Sequence, residues 1–223
     1  MRYKELTFEG RNAVIEAFRS GKTIDKLFIL DGCQDGPIKS IVREAKKTST
    51  IINYVDKERL DRLANTGHHQ GVVAIGAAYE YAEVEDILEA ARCKGEAPFI
   101  FVLDEIEDPH NLGAIIRTAN LAGAHGVIIP KRRAVGLTAT VARTSAGALN
   151  YTPVARVTNL GATIDQLKKE GIWFVCADMN GEIMYRQNLT GPIGLVIGNE
   201  GDGVSRLVKE KCDFTASIPM KGD

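Results

Sequence analysis

A chain of 223 residues, 44% apolar and 26% charged, holds one large domain or two small ones and has an ordinary globular composition. It contains no apolar run of about 18 residues, so it spans no membrane as a helix, and no apolar stretch follows Met1-Arg2-Tyr3-Lys4-Glu5-Leu6 as it would in a signal peptide. A net charge of −1 excludes a surface coated in phosphate-binding cations; the first 80 residues carry 13 Lys and Arg against 11 Asp and Glu, an excess too small to decide for or against a nucleic-acid partner.

Taken in chain order, the first 78 residues predict three alternating units. Val14, Ala17 and Phe18 share one face of a helix over residues 12–20, stopped by Gly21, and a short apolar strand follows at 26–30. Residues 38–47 read as an amphipathic helix and 51–55 as a strand. A helix over 57–64 has Asp56 as its N-cap, and 72–77 is a further apolar strand. Residues 79–97 turn acidic and lose strand character. The helical spacing of Val84, Ile87, Leu88 and Ala91 makes this segment a linker helix between residues 1–78 and a second module, 98–223.

The second module alternates again, with strands expected at 99–103, 126–129, 172–176, 194–197 and 215–218. The helices between them fall near 112–124, 138–142, 164–170 and 204–211. Continuous apolar strands separated by helices imply an α/β fold with a parallel sheet covered on both faces. A parallel strand ending the chain at residue 218 normally needs a covering helix, so the natural protein is expected to continue beyond Asp223.

Three strand-end loops carry the candidate chemistry, where open α/β sheets bind ligands. In Asp108-Pro109-His110-Asn111-Leu112-Gly113-Ala114-Ile115-Ile116-Arg117, Asn111 is placed to cap the helix. Arg117 lies one turn beyond Gly113 and leans back over it toward Asn111. The pair suits a phosphate or ribose, and a capped surface helix with an exposed arginine reads equally well. In Ile197-Gly198-Asn199-Glu200-Gly201-Asp202-Gly203, glycines permit close backbone approach. The order of those glycines is not a dinucleotide or P-loop signature. Its two carboxylates favour a neutral or cationic ligand, with a tight strand–helix turn as the plain alternative. The third loop, Ser217-Ile218-Pro219-Met220-Lys221-Gly222, is weak by itself.

Together these loops resemble the SpoU (TrmH) family of RNA ribose methyltransferases, of the SPOUT superfamily. Asn111-x-Gly113-x-x-x-Arg117 resembles its first motif, Ile197-Gly198-Asn199-Glu200-x-x-Gly203 its second, and Ile218-Pro219-Met220-x-Gly222 the opening of its third. Gly10-Arg11-Asn12-Ala13-Val14 and His69-Gln70-Gly71-Val72 resemble the substrate-binding domain of the RlmB subgroup. The resemblance implies a trefoil-knotted methyltransferase domain behind a small RNA-binding domain. It implies S-adenosylmethionine held by backbone groups at Ala177, Gly198, Ile218 and Met220, and Arg117, Asn111 and Glu200 as the catalytic set. It implies transfer of a methyl group to a ribose 2′-hydroxyl, of a guanosine in 23S ribosomal RNA, by a cytoplasmic homodimer that needs no metal. A transfer RNA or an rRNA adenosine, the latter giving antibiotic resistance, is the alternative substrate, and an RNA-binding protein without catalysis the alternative class. The family gives Arg117 the activating role; since a guanidinium stays protonated in proteins, it either loses its proton transiently or steadies the alkoxide while another group takes the proton, with Glu200 and Asn111 holding it in place.

The other polar candidates read more simply. Adjacent histidines, His68 and His69, diverge in a strand and have no third metal ligand, so a loop or RNA contact is expected. His110 is read as solvent-facing. Lys131-Arg132-Arg133 is either a phosphate contact or a solvated basic loop, and Ser145-Ala146-Gly147-Ala148 supplies small residues for close packing against the cofactor or a second subunit. Cys33, Cys93, Cys176 and Cys212 have no zinc-site spacing and are read as reduced thiols of a cytosolic protein.

Overall fold

A computed structural model of the chain describes residues 6–219, in two compact units. The first runs to Glu80 and includes the short segment Gly136–Ala139; the second comprises Tyr81–Val135 and the chain from Thr140 onward.

In the first unit the order is β1 (Leu6–Glu9), α1 (Arg11–Arg19), β2 (Ile24–Leu30), α2 (Gly36–Lys47), β3 (Ile51–Val55), α3 (Lys57–Leu63) and β4 (Val72–Gly76). Asp35 and Asp56 cap α2 and α3, accepting the N–H of Ile38 at 3.1 Å and of Arg59 at 2.7 Å. The sheet runs β1-β4-β2-β3, with β4 antiparallel to both β1 and β2, and β2 parallel to β3. Burial on both sides explains the continuous apolar run of β2. Leu27 and Ile29 pack with Val14, Ala17 and Phe18 of α1 and with Ile38 and Ile41 of α2, while Phe28 faces Leu60 of α3.

The second unit contains α4 (Val84–Lys94), β5 (Phe99–Leu103), α5 (Pro109–Leu121), β6 (Gly126–Pro130), α6 (Ala139–Thr144), β7 (Val154–Val157), α7 (Leu160–Lys169), β8 (Trp173–Ile183), β9 (Ile193–Ile197), α8 (Arg206–Lys209) and β10 (Phe214–Ser217). Its six strands are all parallel, in the order β10-β8-β9-β5-β6-β7. On one face Ile100, Val102, Ile128, Phe174 and Val196 form the core with Leu160, Ile164 and Leu167 of α7. Ile87 and Leu88 of α4 join the same core, so the helix read as a linker is an integral part of this unit: its acidic side chains face solvent and its apolar stripe faces the sheet. Leu112, Ile116 and Ala119 of α5 are also fully buried.

Chain order and strand order part company at β5. The chain goes to β6 and β7 on one side, then returns to β8, β9 and β10 on the other, which puts a switch point between β5 and β9. At the same edge the β8–β10 register jumps: Thr215 lies opposite Cys176, but Ala216 lies opposite Glu182. Pairing of β8 with β9 also ends at Cys176. Residues 177–181 therefore stand out of the sheet.

Candidate active site

The site begins at the start of α5. Asp108, not Asn111, is the N-cap: its carboxylate accepts the N–H groups of His110 at 2.7 Å and Asn111 at 3.1 Å, and Pro109 takes the first helical position. A short acceptor followed by proline is the stronger helix start, because proline's fixed φ suits the first turn and its missing N–H costs nothing there. Asn111 is thereby released from capping. Its side-chain amide instead donates to the Glu200 carboxylate, 89 residues away, joining the first loop to the second.

Gly113 has a different reason from the one its spacing suggests. A Cβ there would lie 1.9 Å from the Thr144 hydroxyl oxygen, so glycine is what lets α6 press against α5. The same hydroxyl donates within α6 to Thr140 at 2.9 Å and approaches the Pro109 carbonyl at 3.3 Å. Ser145, next in the chain, is fully buried, so this small-residue stretch begins by packing within the chain itself. Gly113→Ala is expected to cost about 1–3 kcal/mol through overpacking, measured as a lower urea midpoint for the second unit. Arg117 is one turn further along α5, exposed, and joined to no described residue by hydrogen bond or ion pair. The structure thus brings Asn111 and Glu200 together and leaves Arg117 free of both.

The second loop closes on itself. Asn199 and Gly203 exchange backbone hydrogen bonds of 3.2 and 3.1 Å, and the Asn199 side-chain oxygen accepts from Gly201 at 2.9 Å and Asp202 at 2.7 Å. Gly198 sits directly on the Gly203 carbonyl, where a Cβ would come within 2.0 Å of backbone. This packing of Gly198 on Gly203 fits the tight-turn reading of the loop. After the turn the carboxylate of Asp104, 5% exposed at the end of β5, accepts the Ser205 N–H at 2.8 Å. Sequence reasoning passed over Asp104, although a carboxylate directly after the apolar run Phe99–Leu103, opening the acidic stretch Asp104-Glu105-Ile106-Glu107-Asp108, was the available signal.

The third side of this edge is the 177–181 excursion. Ala177 opens it, half-buried, and Met179 is 90% exposed at its tip. Asp178 is tied to Lys209 at 2.6 Å, and that hydrogen bond holds its carboxyl below the usual aspartate range. Its base is fixed to β10 by the Ser217 hydroxyl, which donates to the Gly181 carbonyl at 2.9 Å. Ile218 follows β10, 68% exposed; Met220 and Gly222 of the third motif lie outside the described residues.

The remaining candidates separate. His69 is buried, with its Nε2 3.0 Å from Asp61 and its Nδ1 accepting the Gly71 N–H at 3.0 Å, while His68 and His110 are exposed. Arg132 and Arg133 line a cleft of about 510 Å³ beyond β5, β6 and β7; Arg133 is paired with Glu105 at 3.0 Å, and Lys211 in the same cleft with Asp165 at 2.7 Å. Among the described residues, no three His, Cys, Asp or Glu side chains converge as metal ligands, and the four cysteines are free.

Comparison with known proteins agrees across both units. Residues 98–223 match the SpoU rRNA Methylase family, and residues 8–82 match the domain described as RNA 2′-O ribose methyltransferase substrate binding. A Bacillus subtilis (strain 168) protein, YacO, assigned to the TrmH family of tRNA/rRNA methyltransferases, is 52% identical over 96% of this chain and 86% of its own length. A Staphylococcus aureus (strain MSSA476) protein with the same family assignment is 48% identical over the same shares of each chain. Among solved structures, the SpoU methyltransferase AviRb from Streptomyces viridochromogenes, in complex with the cofactor AdoMet, superposes with a TM-score of 0.57 at 25% identity, over 98% of this chain and 82% of that one. With its parallel sheet, its strand-end loops and these matches, the chain belongs to the SpoU (TrmH) family of RNA methyltransferases.

Proposed function

We propose that this protein transfers the methyl group of S-adenosylmethionine to the ribose 2′-hydroxyl of a guanosine in 23S ribosomal RNA. The observation that carries this reading is the Asn111–Glu200 link, which joins the first-motif helix to the second-motif loop at the switch point of the sheet. Beside it, the excursion opened by Ala177, the turn at Gly198 and the exposed Ile218 present backbone and small side chains along one edge, as an adenosine held by main-chain hydrogen bonds would need. Bound there, S-adenosylmethionine supplies an electrophilic methyl group on a sulfonium, and the Glu200 carboxylate suits that charge. In the family likeness these three loops form the knot.

Methyl transfer to oxygen needs alignment of two atoms and removal of one proton. Arg117 is exposed on α5, and a guanidinium does not give up its proton in proteins. Its role is therefore to bind the RNA backbone beside the target ribose and to stabilise the alkoxide as it forms, while the hydroxyl proton leaves to an acceptor on the RNA or to solvent. Asn111 and Glu200 hold the first-motif helix and the second-motif loop together on this side of the sheet. The match of the first unit to a substrate-binding domain of RNA 2′-O ribose methyltransferases supports its holding the RNA substrate, and the choice of ribosomal RNA follows the likeness of its motifs to the RlmB subgroup. Leu121 and Tyr151, each 81% exposed on neighbouring segments joined by an Asn120–Thr152 hydrogen bond of 3.0 Å, offer an apolar patch that supports a homodimer. No described helix is long and apolar enough to cross a membrane, and a cytoplasmic enzyme fits the ribosomal RNA substrate proposed.

The test is tritiated methyl incorporation from S-adenosylmethionine into unmodified 23S RNA and into transfer RNA, followed by mapping of the modified nucleotide. Label on a 23S guanosine ribose supports the reading. Label only on transfer RNA, or on an adenosine, moves the substrate, and no label on any RNA returns the chain to a binding role.

A further inference from the structure

We propose that a cavity within the first unit, framed by Arg11, Leu30, Cys33, Gln70 and Gly71, receives an unstacked base of the RNA substrate. The proposal rests on the reading of this unit as an RNA-binding one. Two sequence motifs that the methyl-transfer site leaves unused, Gly10-Arg11-Asn12-Ala13-Val14 and His69-Gln70-Gly71-Val72, meet here although 59 residues separate Arg11 from Gln70. The cavity measures about 480 Å³, within the range of small-ligand pockets.

Its chemistry selects a base over a phosphate. The Arg11 guanidinium is already engaged: Nη2 lies 2.6 Å from the Asp35 carboxylate, and Nε donates to the Gln70 carbonyl at 3.1 Å. Arg11 thus offers a fixed, charge-compensated plane, and the Asp35 carboxylate beside it disfavours a second anion. The Gln70 side-chain oxygen accepts the Arg11 N–H at 3.3 Å, which leaves the amide nitrogen of Gln70 with no partner among the described residues. Leu30 and Cys33 add apolar wall, and Gly71 keeps that wall open, since a Cβ there would come 3.2 Å from the Cys33 sulfur. A planar cation to stack on, a spare neutral amide for a base edge and an apolar side match how single-stranded RNA bases are recognised. Phosphate binding calls instead for unpaired cations.

The Cys33 thiol is a reporter built into the cavity. With the full chain and in vitro transcribed 23S RNA at ten times its dissociation constant, iodoacetamide labelling of Cys33 is expected to slow about tenfold by mass action. Labelling of Cys93, exposed on α4, is expected to stay unchanged as the internal control. Gln70→Gly is expected to weaken RNA binding about tenfold without changing its salt dependence, because a base contact releases no counterions. Cys33 labelled equally fast with RNA bound overturns the proposal whatever the variant does. A salt slope reduced by about one in an Arg11→Gln variant also overturns it, since the lost counterion release would assign the cation of this cavity to a phosphate contact. Methyl incorporation into RNA with an unprotected Cys33 defeats only this inference, whereas absent RNA binding defeats the functional reading beneath it.

Discussion

Arg117→Lys is expected to lower the rate of methyl transfer to RNA by about 10²–10³-fold while S-adenosylmethionine binds as tightly as before. The magnitude is that of losing one preorganised group aimed at developing charge. Lysine keeps the positive charge but not the planar fork, and only the fork can engage a phosphate and a ribose oxygen at fixed relative geometry. The expected separation of rate from affinity follows from where Arg117 sits. It is exposed on α5 and joined to no described residue, so its removal disturbs neither the Asn111–Glu200 link nor the turn at Gly198. The measurement is single-turnover methyl transfer alongside calorimetric titration of the cofactor, with the melting curve as a fold check. A parallel loss of rate and cofactor affinity would place Arg117 in the cofactor pocket instead.

Local periodicity made most of the fold legible. The strands at Ile51–Val55 and Phe99–Leu103 and the Asp56 cap of α3 follow directly from apolar runs and a short acceptor before a helix. Two strands escaped that reading. β1 is four residues with no buried position, and β7 is another four-residue strand, so neither displays enough apolar pattern to stand out from a loop. The mixed sheet of the first unit was equally hidden, because strand direction is set by packing between distant segments and leaves no mark in a five-residue window.

At the candidate site the residue types were readable and their partners were not. Asn111 looked like a cap because it precedes an apolar run, but Asp108-Pro109 three residues earlier is the better helix start, and that signal was present in the sequence. Gly113 looked like clearance for Arg117; its neighbour proved to be Thr144, brought in by tertiary packing. Asp104 is one of four acidic residues within five positions, and only its bond to the Ser205 N–H, 101 residues away, sets it apart. Methyl transfer itself was legible only through family likeness, since the glycine order of the second loop matches no nucleotide-binding signature.

Gly198→Ala is expected to lower S-adenosylmethionine affinity about tenfold or more and to cost about 1–3 kcal/mol of stability, the range for overpacking a close contact. The three nearest atoms that the new methyl group would meet are all main chain: the Gly203 carbonyl carbon and oxygen at 2.0 Å and the Val204 nitrogen at 2.2 Å. No rotamer can relieve such contacts, so the turn must open. Opening it breaks the paired Asn199–Gly203 hydrogen bonds and pulls Ser205 from the Asp104 carboxylate, which then loses a partner for a buried charge. Gly201 supplies the control within the same loop. Its Cβ would meet only the Asn199 side-chain oxygen, at an ordinary 3.6 Å, and its φ is not in the left-handed region. Gly201→Ala should therefore bind cofactor nearly as the unmodified protein does. Calorimetric titration of both variants with S-adenosylmethionine, paired with urea unfolding, separates the outcomes. If Gly198→Ala unfolds earlier yet binds normally, the turn serves the fold alone; if Gly201→Ala also loses affinity, what matters is the loop's flexibility, not the close approach at Gly198.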